Sequence, residues 1–181
     1  EQRVPPVYGS DTRALTKRIR TKGSMLGRLL ALQPHAPMDE NNWRQRMIDV
    51  PWHDPNGENL VARVSRKTPM LFTPQDTQPA GLREANEPTL MHASGRPIRI
   101  MALDLGMKRN QIRCFTSRGV ELKVVPFDHD ILSETEPYDG LFLSNGPGDP
   151  THCMSTVERV RARISRKTYV IRVVGICLGH H

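Results

Sequence analysis

The feature that most constrains this chain is the pentapeptide Gly175-Ile176-Cys177-Leu178-Gly179, which closes the strand-like run from Tyr169 to Ile176. A residue at a sharp strand-to-helix junction is held in a strained backbone, and small neighbours two positions to either side let backbone and ligand come close. The pattern therefore puts the Cys177 sulfur at the tip of a sheet. A helix starting there would aim its first amides at the sulfur, favouring thiolate, and would place the Leu178 N–H where an oxyanion can be held. The plainer reading is a tight turn with Cys177 as a small buried filler, since unreactive cysteines are common in cores.

A second glycine-rich turn argues for the chemical reading. Asn145-Gly146-Pro147-Gly148-Asp149-Pro150 follows the apolar strand Gly140-Leu141-Phe142-Leu143-Ser144. Its glycines offer backbone N–H groups without side-chain obstruction. Further strands are expected at Ile98 to Asp104 and at Glu121 to Phe127. Between them a helix carries Ile112 and Phe115 and stops at Gly119, and a later helix shows Val157, Val160 and Ile164 on one face. Strands alternating with helices across short connections predict an α/β fold with a largely parallel, flavodoxin-like sheet, whose loops at the carboxyl ends of the strands carry the site. Both glycine turns fall at such ends.

Upstream the pattern is weaker. Pro5-Pro6-Val7-Tyr8-Gly9 reads as a turn, Ser10 or Asp11 as an N-cap, and Leu15 and Ile19 as one face of a short helix ending near Gly23. Ser24 to Leu30 reads as a strand or extended segment, and Asn59 to Ser65 fits either a helix or a strand. Pro69, Pro74, Pro79, Pro88 and Pro97, mixed with polar residues, break any period and predict a linker. The resulting division is a smaller mixed α/β unit over 1–68, a linker over 69–97 and the sheet domain over 98–181. Glu1 is not a Met and His181 directly follows a glycine turn, so both ends are expected to be truncations.

Charge and cysteine content remove some alternatives. The formal charge of +7 comes from 26 Lys and Arg against 19 Asp and Glu, but its bases are scattered along helices, as at Arg159, Arg161, Arg163 and Arg166. With 5% aromatic residues there are few platforms on which bases could stack, so no nucleic-acid partner is expected. No run approaches the roughly 18 apolar residues of a membrane span, and no secretory pattern opens the chain, so a cytoplasmic location is the expectation. Cys114, Cys153 and Cys177 are widely spaced and form neither a disulfide framework nor a zinc pattern. Cys114 is expected in the core and Cys153 in a loop, while Asp128-His129-Asp130 reads as a solvated loop rather than a metal site.

The two turns, Ser144-Asn145-Gly146-Pro147-Gly148-Asp149-Pro150 and Gly175-Ile176-Cys177-Leu178-Gly179-His180, together resemble the class I glutamine amidotransferase domain of carbamoyl-phosphate synthetases. Asp104-Leu105-Gly106-Met107-Lys108-Arg109-Asn110-Gln111-Ile112-Arg113 is similar to that domain's opening segment. Gly9-Ser10-Asp11-Thr12-Arg13, Lys22-Gly23-Ser24-Met25-Leu26-Gly27 and Asp54-Pro55-Asn56 with Asn59-Leu60-Val61 are similar to the small-subunit domain of the same synthetases. The wording is most like the fused eukaryotic members of pyrimidine synthesis, although arginine synthesis uses the same chemistry.

The resemblance implies that Cys177 attacks the side-chain amide of glutamine, releases ammonia and forms a glutamyl thioester. It also implies that the Leu178 amide and the Gly146 turn hold the oxyanion and position glutamine, with Gly148 lining the pocket. Ammonia would pass to a synthetase partner, fused or separate, that uses ATP and magnesium. No cofactor or metal is expected in these residues themselves. His181 stands where the family has the Gln that contacts glutamine, and Ser10 where it has a β-branched residue. The family's triad also needs a His-x-Glu pair, and no His here is followed two residues later by Glu. His180 and His181 do not replace it, since adjacent side chains on a helix diverge by about 100°. The expectation is an incomplete, inactive glutaminase fragment, of low stability by itself because half a parallel sheet leaves an unpaired edge. The alternative is a non-catalytic module that docks onto the synthetase.

Overall fold

The computed structural model describes residues 8–23, 25–31, 39–75, 90–166 and 171–181. The chain divides into two units, Glu1–Asp54 and Pro55–His181. In the first unit, Asp11 accepts a hydrogen bond from the Ala14 amide at 2.9 Å and starts helix α1 (Thr12–Lys22). Gly23, at φ 79°, ends it. A second helix, α2 (Glu40–Asp49), was not anticipated; Asp39 caps it by accepting from the amides of Asn41 and Asn42. The guanidinium of Arg28 lies 3.8 Å above the Trp52 ring and donates to the Val50 carbonyl. Of the strand or extended segment expected at Ser24 to Leu30, residues 25–31 form no strand; Ser24 lies outside the described residues, as do Pro5, Pro6 and Val7 of the expected Pro5 to Gly9 turn.

The second unit is built on a five-stranded sheet in the order β1-β3-β2-β4-β5. Its strands are β1 (Met70–Phe72), β2 (Arg99–Asp104), β3 (Glu121–Pro126), β4 (Gly140–Leu143) and β5 (Arg172–Gly175). The last four are mutually parallel and β1 pairs antiparallel with β3. The fold is thus mixed α/β with a mostly parallel sheet, as the strand and helix alternation predicted. The Tyr169 start expected for the last strand lies outside the described residues.

Side-chain alternation separates two apolar faces. Met101, Leu103, Val125 and Leu141 point to one face and pack with Val160 of helix α5 (Met154–Ser165). Ala102, Leu122, Val124 and Phe142 point to the other and pack with Ile112 and Phe115 of helix α4 (Arg109–Thr116). Burying each of the larger of these side chains contributes roughly 1.5–3 kcal/mol. Of the apolar stripe predicted on α5 only Val160 is buried, at 9% exposure. Val157 and Ile164 instead line a cavity of about 500 Å³ that reaches Cys153, Leu178 and His180.

The segment Asn59 to Ser65, open between helix and strand from sequence, contains the short helix α3 (Leu60–Val64), capped by the Asn59 side chain. It belongs to the sheet unit rather than to the preceding one. The linker expected over 69–97 differs at its start, because Met70, Leu71 and Phe72 pair with Val124, Lys123 and Leu122. At its end, Met91 bridges to Pro97. Pro79 and Pro88 lie outside the described residues.

Candidate active site

Parallel register brings the chemistry to one edge. Leu103 sits opposite Leu143, and Leu143 opposite Gly175, so the turns after β2, β4 and β5 all leave the sheet at the same end. The chain places β3 on one side of β2 and β4 on the other. The order reverses between β2 and β4, a topological switch point of the kind beside which doubly wound sheets bind ligands.

At the tip of β5, Ile176 is still extended and donates to the Leu143 carbonyl at 3.1 Å. Cys177 then turns to φ 55°, the one positive value for a non-glycine among the described residues. Left-handed backbone is unfavourable for a residue with a Cβ, by roughly 1–2 kcal/mol. The surrounding contacts impose it. A Cβ on Gly175 would lie 1.9 Å from the Gly179 carbonyl oxygen, and one on Gly179 would lie 2.3 Å from that of Leu143. The two glycines thus let strand and turn close onto each other, as the spacing predicted. The turn continues as the 3-10 helix Cys177–His180. The Cys177 thiol is exposed, while Leu178 beside it is buried.

The turn after β4 packs directly against this elbow. A Cβ on Gly146 would stand 2.8 Å from Cδ2 of Leu178 and 2.2 Å from the Leu105 carbonyl oxygen. Gly148, at φ 82°, is exposed and lies over Leu60. His181 is exposed and its amide donates to the Leu178 carbonyl at 3.3 Å. Cys177, Gly146 and Leu178 are therefore brought together, with Gly148 and His181 on the flanking turns.

Sequence reasoning missed the polar scaffold beneath them. Asp104, the last residue of the strand expected from Ile98, is buried, and its carboxylate accepts from the amides of Gly106 (3.0 Å), Met107 (2.8 Å) and Arg66 (3.0 Å). Ser144 is fully buried and its hydroxyl accepts from the Leu105 amide at 2.9 Å. Asn145 donates from its side chain to the Gly106 carbonyl at 3.1 Å. These bonds tie the turn after β2 to the turn after β4. An acid or hydroxyl closing an apolar strand is the available signal, because such a side chain is placed to accept from the amides that follow.

Two cysteine expectations are corrected. Cys153 is buried at 4% exposure, clustered with Val61, Leu105 and Leu178, because the 3-10 turn Pro150–Cys153 rotates it inward. Burial raises its thiol pKa above the ordinary value. Cys114 is exposed, because α4 turns Ile112 and Thr116 to the sheet. In the Asp128 to Asp130 loop, His129 lies 3.3 Å from Glu134. Burial opposes ionisation of that carboxyl, yet hydrogen bonds from Lys123 and His129 outweigh it and hold the pKa below the usual range. Among the described residues no cluster of His, Cys, Asp and Glu is able to hold a metal ion, and no helix is long and apolar enough to cross a membrane.

Residues 101–181 match the profile of the family described as Glutamine amidotransferase class-I. Over its whole length the chain is similar to segments of larger proteins. It is 47% identical to the Multifunctional protein ura1 of Schizosaccharomyces pombe over 99% of this chain and 8% of that protein. It is 41% identical to the Multifunctional protein CAD of Squalus acanthias, over 99% of this chain and 6% of that protein. Against the Carbamoyl phosphate synthase arginine-specific small chain of Debaryomyces hansenii it is 36% identical, over 98% of this chain and 35% of that protein. The chain therefore spans less than a tenth of the multifunctional proteins and about a third of the small chain.

Proposed function

We propose that this chain contributes the nucleophile and substrate turns of a glutamine-hydrolysing carbamoyl-phosphate synthetase, a reading supported by the match of residues 101–181 to the class-I glutamine amidotransferase profile. The observation that carries the reading is Cys177 itself: an exposed thiol on a left-handed backbone, closed in by two glycines and adjoining the Gly146 turn. The Cys177 sulfur adds to the amide carbon of glutamine, and the oxyanion is held by the Leu178 N–H and the Gly146 turn. The carbon–nitrogen bond then breaks, the leaving nitrogen takes up the proton given up by the thiol and departs as ammonia, and a glutamyl thioester remains, which water hydrolyses to glutamate and the free thiol. Gly148 lines the glutamine pocket, and His181 contacts glutamine where the family has Gln.

The relatives' names support the pathway. Multifunctional proteins and a carbamoyl phosphate synthase small chain share this stretch, so the ammonia is consumed by a synthetase part, fused or separate. No His in the 181 residues is followed two positions later by Glu. The test accordingly uses the whole protein that the gene encodes. Glutamate release from glutamine is expected to fall at least about a thousandfold in Cys177→Ala, with the fold retained. A whole protein that binds the synthetase part yet releases no glutamate would favour the docking module instead.

A further inference from the structure

The matched amidotransferase residues begin at 101, yet the two glycine turns rest on a segment that precedes them. Helix α3 lies under both. Leu60 packs beneath Gly148, where an added Cβ would meet its Cβ at 3.5 Å, and Val64 Cγ2 would stand 3.1 Å from a Cβ on Gly106. Val61, at 1% exposure, is buried with Leu105, Cys153 and Leu178, the residue next to the nucleophile. The helix is pinned at its far end by Ser65, which accepts from the Phe127 amide at 3.0 Å, and by the Arg66 amide on Asp104.

At its near end a two-way clasp joins α3 to the turn after β4. Asn59 caps the helix by accepting from the Ala62 amide at 2.9 Å, and its Nδ2 donates to the His152 carbonyl at 3.1 Å. His152 answers with Nδ1, 3.0 Å from the Glu58 carbonyl. A carbonyl only accepts, so Nδ1 carries the proton. Asn59 thus divides its amide between two tasks: oxygen to the helix, nitrogen to the turn.

We propose that α3 is a brace for glutamine recognition, and that Asn59 is a positioning residue holding the Asn145 to Cys153 turn in register with the Cys177 elbow. The kinetic part rests on the glutaminase reading given above; the structural part does not. Two substitutions separate the tasks. Asn59→Asp and Asn59→Ser both keep a good N-cap acceptor, but the first has no donor and the second is too short to reach the His152 carbonyl.

In the whole protein, each variant is expected to raise KM for glutamine about three- to tenfold, the span of one lost hydrogen bond. The maximal rate should change less than about twofold, and alkylation of Cys177 by iodoacetamide, which requires no glutamine recognition, should proceed at the parent rate. Amides of residues 145–153 should exchange with deuterium faster while those of β2 and β3 keep their protection. Parent exchange rates at that turn in a folded variant would overturn the proposal, as would faster exchange spread evenly over the sheet. If the parent itself hydrolyses no glutamine, the glutaminase reading fails, and the exchange measurement alone decides whether the clasp holds the turn.

Discussion

Three glycines set the limits on single-residue change. Alanine at Gly175 would force a Cβ to 1.9 Å from a backbone oxygen, and at Gly146 to 2.2 Å from another. Because backbone and not a flexible side chain stands in the way, each is expected to cost about 3 kcal/mol or more. Gly27 has nothing within 4 Å of the same position, so Gly27→Ala should stay within about 0.5 kcal/mol of the parent. Thermal unfolding of the three variants checks the ranking. The Gly-x-Cys-x-Gly spacing was legible because steric necessity leaves a residue-level mark in sequence. Asp104, Ser144 and Asn59 were not legible as a network. Each makes its bonds to backbone amides or carbonyls, and such partners leave no trace in residue identity.

Among elements, long periodic segments were readable and short ones were not. β2, β3 and β4 and the helices α4 and α5 follow from apolar pattern and glycine stops. β1 is three residues between Pro69 and Pro74, too few to show a period, and it exists because β3 offers it an edge. α2 has no buried residue, and its half-buried face is only the pair Trp43 and Met47, too short a pattern to mark a helix. The start of β4 carries a charge-dependent fastening. Arg96 grips Asp139 through two hydrogen bonds of 2.8 and 2.7 Å, and the Arg99 amide adds a third at 2.9 Å. The Arg96 hydrogen bonds, opposed by burial and aided by the Arg99 amide, hold the Asp139 carboxyl below the usual carboxylate range. A carboxyl depressed on folding stabilises the fold above its unfolded pKa, and that contribution disappears as pH falls through the folded value. Asp139→Asn is therefore expected to lower the unfolding midpoint at neutral pH, with the gap from the parent closing in acid. A constant gap across a pH series would show that the carboxylate charge contributes nothing.

At the scale of the whole molecule, the decisive observation is where the division falls. Proline spacing suggested a boundary at residue 68, whereas the sheet unit begins at Pro55. Composition records where helices and strands stop; it is silent on which neighbour a short helix will pack against. A chain starting at Pro55 is accordingly expected to unfold at a higher temperature than one starting at Ile98. The shorter form loses the β1 pairing, the buried Val61 and the Arg66 and Ser65 bonds. Together these are worth more than about 3 kcal/mol, or roughly 10 °C. Equal midpoints would mean that residues 55–97 add nothing. The footing of α3 also bears on protein engineering: a transplant cut to residues 101–181 would carry the Cys177 turn across and leave its foundation in the donor. A recombinant graft of this edge of the sheet onto another scaffold must be cut upstream of Pro55.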